Sequence, residues 1–387
     1  MKNTIGVVHS IYRSSIPSGE NQTVRDIGKY LELSGFEVNS WTLDSDLLLK
    51  NQFASTLHAL KIASPDRYQS RNFAEWISKQ STIQIHNNFP ILSASDHKVL
   101  LESKKPVVRV IHNFRKTCLT GNHFREGKEC YKCNIKSTNA GIIRSCYNDS
   151  FSKSILSSLY TTKMNSIEQK YITKYVAVSS FVKEYLIAIG IPSEKIHVIE
   201  NSVPAQMEIH KDASEVLLIG RLEEEKGVKL AIEAWEESPS LPVLNIVGSG
   251  SLQSFVEQKS EELRNIKFWG FLDGLDLQNI VRRCKTAIFP NTWQEPFGRT
   301  MAESIARGQA LVATDTGIAR RFVVPGKNGF IMQSNPTDLA TKVAEAMALP
   351  LDGQISEGRN HWETQFSPAI AEENWKIFYD DLFRNIV

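Results

Sequence analysis

The stretch Asn291 to Ser304 (NTWQEPFGRTMAES) holds the densest set of residues suited to chemistry. It follows the apolar run TAIF and leads into a helical pattern. Glu295 falls in the loop before Pro296, and Glu303 falls in the second turn of the helix. Gly298 marks the helix start, where backbone N–H groups lack partners inside the helix and attract anions. Carboxylates accept hydrogen bonds from pairs of hydroxyls, so a sugar on one side of a bound phosphate and a ribose on the other would suit this stretch. The plainer reading is two solvated charges, and the E-P-F-G combination weighs against it. A second stretch, Gly220 to Gly227 (GRLEEEKG), places Arg221 directly after a strand and Lys226 just before a helix. Two cations at a strand's carboxyl end neutralise a diphosphate without a metal. Taken alone, the same residues read as a turn in which the cations pair with Glu223, Glu224 and Glu225.

The first half offers different chemistry. Cys118, Cys130, Cys133 and Cys146 run C-x11-C-x2-C-x12-C, while Cys284 stands apart. Four thiolates with one C-x2-C knuckle suit a tetrahedral structural zinc that folds a long loop. Reduced thiols packed in the loop are the alternative, and zinc is the expectation. From Lys98 to Arg144 there are 11 Lys and Arg against three Glu. That excess suits a phosphate-bearing acceptor or an anionic membrane surface, with a solvated loop as the plain alternative. His86 and His112 each end an apolar run, where a histidine ordinarily caps backbone. Asp44-Ser45-Asp46 reads as a helix N-terminal cap rather than a metal site.

These residues need a scaffold. The chain has 387 residues, enough for two domains. Short apolar strands (Thr4–His9, Phe36–Trp41, Thr82–His86, Val107–His112, Tyr175–Val178, Lys195–Ile199) alternate with amphipathic helices such as Gln22–Leu33 and Phe181–Ile189. Asn201 to Ser214 breaks the rhythm, which resumes with EVLLIG at Glu215 and ends in an aromatic helix, Pro368–Phe383. The β-α alternation predicts doubly wound parallel sheets, whose ligands lie at strand carboxyl ends. The formal net charge of +2 excludes a protein that coats nucleic acid. No apolar run reaches the eighteen or so residues of a membrane span, and the N-terminus reads as a strand, so a cytoplasmic protein is expected.

In chain order, the pieces VIENSVP, LLIGRLEEEKG, NIVGSG, FWGFL, EPFGRTMAES and the pair DTG and GKNGF resemble the nucleotide-sugar domain of the family-4 retaining glycosyltransferases. The resemblance covers nearly all of residues 175–350 and extends more loosely to the first half. It implies a GT-B fold: α/β, with two doubly wound Rossmann-like domains facing across a cleft. The expected divisions are 1–200 for the acceptor side, with a cysteine-bearing insertion at about 113–150, and 201–365 for the nucleotide sugar. Residues 366–387 would form a C-terminal helix packing back on the first domain. By resemblance, Arg221 and Lys226 hold the diphosphate of a nucleotide-sugar donor, Glu295 contacts hydroxyls of the transferred sugar, and Glu303 binds the ribose. The backbone at Phe297, Gly298, Arg299 and Thr300 wraps sugar and phosphate. Gly19, in SIPSGEN, stands where the family has a glycine-rich loop near the donor phosphate, and His112 matches a histidine beside the transferred sugar; His86 stays open between a site role and a cap.

The implied reaction moves a sugar to a hydroxyl of a glycan or lipid-linked glycan without a catalytic metal, as in bacterial surface-polysaccharide synthesis. An epimerase or hydrolase on the same fold, and a non-catalytic partner subunit, are the alternatives. Two places depart from the family. Asn201-Ser202 replaces Asn-Gly, which is expected to stiffen a hinge, and Asp315 is followed by one glycine where two are usual.

Overall fold

The computed structural model describes residues 3–11, 18–44, 67–89 and 92–384. The chain divides into two compact units. One comprises Met1–His123, Tyr131–Asn201 and Ala371–Val387; the other comprises Phe124–Cys130 and Ser202–Ile370.

In chain order the first two hundred residues form β1 (Thr4–Ile11), α1 (Gly19–Leu33), β2 (Glu37–Asp44), α2 (Arg67–Ser78), β3 (Thr82–Ile85), α3 (Ala94–Ser103) and β4 (Val107–Ile111). A short antiparallel hairpin follows, β5 (Phe124–Arg125) and β6 (Lys128–Glu129). Then come α4 (Asn139–Ile143), α5 (Phe151–Tyr171), β7 (Lys174–Ala177), α6 (Ser180–Ala188) and β8 (Ile196–Val198). The sheet of the first unit runs β2-β1-β3-β4-β7-β8 with every neighbouring pair parallel. Its central strands are buried on both faces, as parallel sheets require: Ile5, Val8, Ile83, Ile85, Val107 and Val108 are fully buried. Helix α1 starts three residues before the apolar pattern does, because the Ser18 side chain accepts the Asn21 amide and caps it. Asp44 is the last residue of β2; Ser45 and Asp46, and with them the expected cap, lie outside the described residues.

The second unit holds β9 (Glu215–Ile219), α7 (Val228–Glu237), β10 (Leu244–Val247), α8 (Gln253–Glu262), β11 (Ile266–Phe268), α9 (Gly274–Val281) and β12 (Cys284–Phe289). It continues with α10 (Arg299–Arg307), β13 (Ala310–Thr314), β14 (Gly329–Met332), α11 (Pro336–Ala348) and α12 (Leu351–Gln365). The strand order is β11-β10-β9-β12-β13-β14, again parallel throughout. Its core joins Val216, Leu218, Leu244, Ile246, Ile288 and Val312 of the sheet to Trp235 of α7 and Leu339 and Val343 of α11. The Trp235 indole N–H is satisfied by the Pro242 carbonyl at 2.7 Å.

The last helix, α13 (Pro368–Arg384), enters the first unit at Ala371. Tyr379 and Phe383 pack on Phe36, and Phe378 meets His197 edge-on. At Asn201-Ser202 neither residue has a positive φ, so serine here needs no backbone strain. Among the described residues no helix is long and apolar enough to cross a membrane.

Candidate functional site

In the second unit, parallel strands bring the GRLEEEKG turn after β9 beside the loop after β12. Lys226 Nζ lies 2.5 Å from Glu295 Oε2 and 4.9 Å from the centre of the Trp293 ring. Asn291 Nδ2 donates to the same carboxylate oxygen at 3.3 Å. Gly227 makes the approach feasible. It takes φ +69, and a Cβ there would sit 1.8 Å from the Pro290 carbonyl oxygen. Arg221 pairs with Glu225 at 3.1 Å and Glu224 lies 3.8 Å from Lys229. The turn is therefore internally salt-bridged for Arg221, whereas Lys226 is committed to Glu295. Glu225 holds the two loops together, since its carbonyl accepts the Thr292 amide at 3.0 Å.

Gly298, in the left-handed region at φ +79, is the N-cap of α10, and Arg299 and Thr300 open the helix. Phe297 is buried against Phe322 and Phe366, which anchors the loop that carries Glu295. Glu303 receives Arg299 Nε at 3.2 Å and lies 3.8 Å from the buried Arg307, one turn on either side. The DTG loop docks on the same segment. The Gly317 amide donates to Gln294 Oε1 at 2.6 Å and the Ile318 amide to the Glu295 carbonyl at 3.2 Å. Gly317 has φ +55, and a Cβ there would come within 2.2 Å of the Glu295 carbonyl oxygen. The single glycine of this loop thus stands where glycine is needed. Gln294 also donates to Glu129 of the β5–β6 hairpin, which belongs to this unit.

The first unit gathers a different set. Parallel register puts His9 of β1, His86 after β3 and His112 after β4 at the carboxyl ends of adjacent strands. His86 Nδ1 is 2.9 Å from His112 Nε2 with the rings stacked, and His9 stands edge-on to His86. Gly19 is the first residue of α1, and the next residue, Glu20, accepts from Asn113 Nδ2 at 3.2 Å. His9 Nε2 lies 2.9 Å from Asn21 Oδ1. Burial lowers His9, His86 and His112, His112 to about 4, while Glu20 opposes the shift at His112 and Arg109 adds to it. His9 and Glu20 were not singled out from sequence, although His9 ends the strand pattern Thr4–His9 as His86 and His112 end theirs.

Beside the histidines a cavity opens to solvent, lined by His112, Asn113, Arg115, Tyr160 and Glu168 among others. Its base is ionic. Lys116 Nζ lies 2.7 Å from Glu168 Oε2 and Arg109 Nε 3.8 Å from the same oxygen, all three side chains nearly buried. Asn88 donates to the other Glu168 oxygen at 2.6 Å. Behind it, the fully buried His97 reaches the Tyr171 hydroxyl at 2.6 Å, and burial lowers its pKa to about 4. An unfolded imidazole takes its proton near pH 6.5. Between pH 6.5 and 4 the unfolded chain therefore binds a proton that the folded chain refuses. Stability present in full above pH 6.5 is expected to fall as pH drops towards 4. Urea midpoints at pH 7 and pH 5 measure this, and His97→Gln should flatten the difference.

The expected cysteine-held zinc is not shown. All five are thiols, and among the described residues no group of three or more His, Cys, Asp or Glu side chains is placed to hold a metal ion. The Cys118 thiol turns to the Thr120 hydroxyl at 3.1 Å, and the Cys133 sulfur lies against Gly141 of α4. The loop is organised instead by its own turns and by Phe114 and His123, whose rings stack 4.9 Å apart. The structure therefore does not show the expected zinc site among the described residues.

Two family models match the chain. One, described as Glycosyltransferase Family 4, covers residues 17–206, and the other, Glycosyl transferases group 1, covers 200–365. The chain is a family-4 glycosyltransferase. The phosphatidyl-myo-inositol mannosyltransferase of Mycobacterium tuberculosis is 23% identical over 257 residues, 63% of this chain and 67% of that protein. Sucrose-phosphate synthase from Thermosynechococcus elongatus superposes with a TM-score of 0.69 at 16% identity, over 99% of this chain and 100% of that one. Anabaena HepE in complex with UDP-glucose gives a TM-score of 0.62 at 16% identity, over 98% and 99%. The glycosyltransferase has the GT-B fold that its motifs implied.

Proposed function

We propose that this glycosyltransferase moves a sugar, with retention at the anomeric carbon, from a nucleotide-diphosphate sugar to a hydroxyl of a glycan or lipid-linked glycan in polysaccharide synthesis. The observation that carries the reading is the union of Lys226, Glu295 and the α10 helix end, drawn from two loops of one sheet. The sugar-1-phosphate bond breaks and its electron pair passes to the diphosphate. Lys226, Arg221 and the N–H groups at Phe297 to Thr300 stabilise that charge, work a bound cation does in other enzymes. Glu295 accepts hydroxyls of the transferred sugar, and Glu303 those of the ribose. The acceptor oxygen bonds to the anomeric carbon on the face the phosphate leaves, and its proton passes to a phosphate oxygen. In the first unit, Gly19 is proposed to lie near the donor phosphate and His112 beside a sugar. UDP-glucose bound to the structural relative HepE supports a nucleotide sugar as donor. A nucleotide sugar, and an acceptor at an anionic membrane surface or on a lipid carrier, are the proposed partners.

Thermal shift and nucleotide release with UDP-, GDP-, ADP- and dTDP-sugars test this reading, since a specific ligand raises the melting temperature by mass action. One donor should stabilise the protein and release nucleotide only with an acceptor extract, with the anomeric configuration kept and rates unchanged in EDTA. Release without acceptor would point to a hydrolase or epimerase, and binding without turnover to a partner subunit. A related expectation concerns the DTG loop. A methyl group at Gly317 collides with the Glu295 backbone, so Gly317→Ala is expected to cut turnover about a hundredfold, the cost of a misplaced catalytic group. Initial rates beside a melting curve check it.

A further inference from the structure

Four side chains of the first unit form one hydrogen-bonded line. The Tyr379 hydroxyl of α13 meets Gln84 Oε1, and Gln84 Nε2 lies 2.6 Å from His86 Nε2. His86 Nδ1 in turn lies 2.9 Å from His112 Nε2. Tyr379 and Gln84 are 0% exposed and His86 is 1% exposed, whereas His112 is half-buried and lines the cavity. Nδ1 of His112 makes no hydrogen bond to the described residues.

The direction of this line follows from its buried end. Among the described residues the Tyr379 hydroxyl has one hydrogen-bond partner, Gln84. A buried O–H without an acceptor is costly, so the hydroxyl donates and the Gln84 carbonyl faces it. The carboxamide NH2 then faces His86 Nε2, which has to accept. A neutral imidazole that accepts at Nε2 carries its proton at Nδ1, and that proton goes to His112 Nε2. By the same rule His112 carries its own proton at Nδ1. Burial first, and Arg109 in addition, disfavour the charged form of both rings, so the line consists of neutral imidazoles near neutral pH.

We infer that Tyr379, Gln84 and His86 are positioning residues that fix His112 as a hydrogen-bond donor, offering Nδ1–H to an oxygen atom of the bound substrate. The inference deepens the role of His112 proposed above and rests on it. A ring fixed this way steadies a sugar or phosphate oxygen and is not a base for the acceptor hydroxyl.

Histidine-selective ¹⁵N labelling of the full chain, with long-range ¹⁵N–¹H correlation at pH 7.5, separates the two tautomers. The His112 signals are those missing in His112→Asn. The native protein is expected to show a protonated Nδ1 and a bare Nε2 at His112. Gln84→Glu should reverse the line, because a carboxylate accepts from both Tyr379 and His86. His112 is then expected to carry its proton on Nε2, with kcat at least tenfold lower and the KM for the sugar donor changed less. Tyr379→Phe releases the carboxamide and should give a mixture of both tautomers. Nε2–H at His112 in the native protein, or an unchanged tautomer in a folded Gln84→Glu, overturns the inference. The native spectrum decides it even where a variant misfolds. Full activity in His112→Ala, with Nδ1–H found in the native protein, would instead remove the substrate role of His112 and leave the tautomer assignment standing.

Discussion

Glu295→Ala is expected to lower glycosyl transfer by about a thousandfold or more while the protein stays folded. The size follows from what the carboxylate does. It holds Lys226 at 2.5 Å and Asn291 at 3.3 Å, so its loss would remove the proposed sugar contact and also release the lysine proposed to face the leaving diphosphate. Removing a single preorganised polar contact to a transition state costs about a hundred- to a thousandfold, and here one truncation disturbs two. The fold should survive, because the loop is held by other means. Phe297 is buried in an aromatic cluster, the Thr292 amide is fixed by Glu225, and the backbone of Glu295 is fixed by Ile318. Lys226 keeps the face of Trp293 as a partner. The check is the initial rate of acceptor-dependent nucleotide release beside a melting curve. A folded variant with native rates would sink the assignment of Glu295.

The largest expected effect on stability lies in the first unit. Glu168→Ala removes the carboxylate shared by Lys116 and Arg109, two cations that are nearly buried. Breaking a buried pair from one side costs about 3–5 kcal/mol, because the remaining charge has neither water nor partner. For a unit of this size that is a fall of roughly 6–20 °C in melting temperature. Replacing the pair together, Lys116→Met with Glu168→Leu, should recover part of the loss, which a simple packing defect would not do. The acid dependence has a definite sign. Burial alone would raise the Glu168 pKa, but Lys116 and Arg109 outweigh it and hold it at about 2. The contribution is present in full above the unfolded carboxylate value near 4.5 and is lost as pH falls through about 2. Melting curves between pH 5 and 2 should therefore converge for the native and Glu168→Ala proteins.

The two sites differed in how plainly the sequence showed them. The second unit's candidate residues lie in two short runs, GRLEEEKG and EPFGRTMAES, each after an apolar strand. Strand carboxyl ends, a helix start and paired carboxylates could be read there without three-dimensional information. Gly317 could also be noticed, as a departure, but its reason could not: the clash that forbids a side chain is with backbone twenty-two residues earlier. In the first unit the informative partners are far apart in the chain. Lys116 and Glu168 are 52 residues apart, and Gln84 and Tyr379 are 295 apart. Each looks like an ordinary strand, helix or loop residue until the fold joins it to its partner. The cysteines are a different case. Spacing states which thiols are able to meet, and the structure shows no metal-holding group of them among the described residues.

The route of the chain also bears on how it is made. The first unit is completed by a helix that begins only at Pro368, after every strand of the second unit. On the ribosome, the Phe36 face and the carboxamide of Gln84 must wait for Tyr379 and its neighbours. At typical elongation rates the delay between Asn201 and Ala371 is on the order of ten to thirty seconds. During that interval Phe36 and His197 of the nascent first unit lack the α13 rings that pack on them. Severing the chain near residue 201 would thus yield an amino-terminal half lacking its closing piece. Supplying residues 366–387 as a separate peptide offers a direct route to restore it.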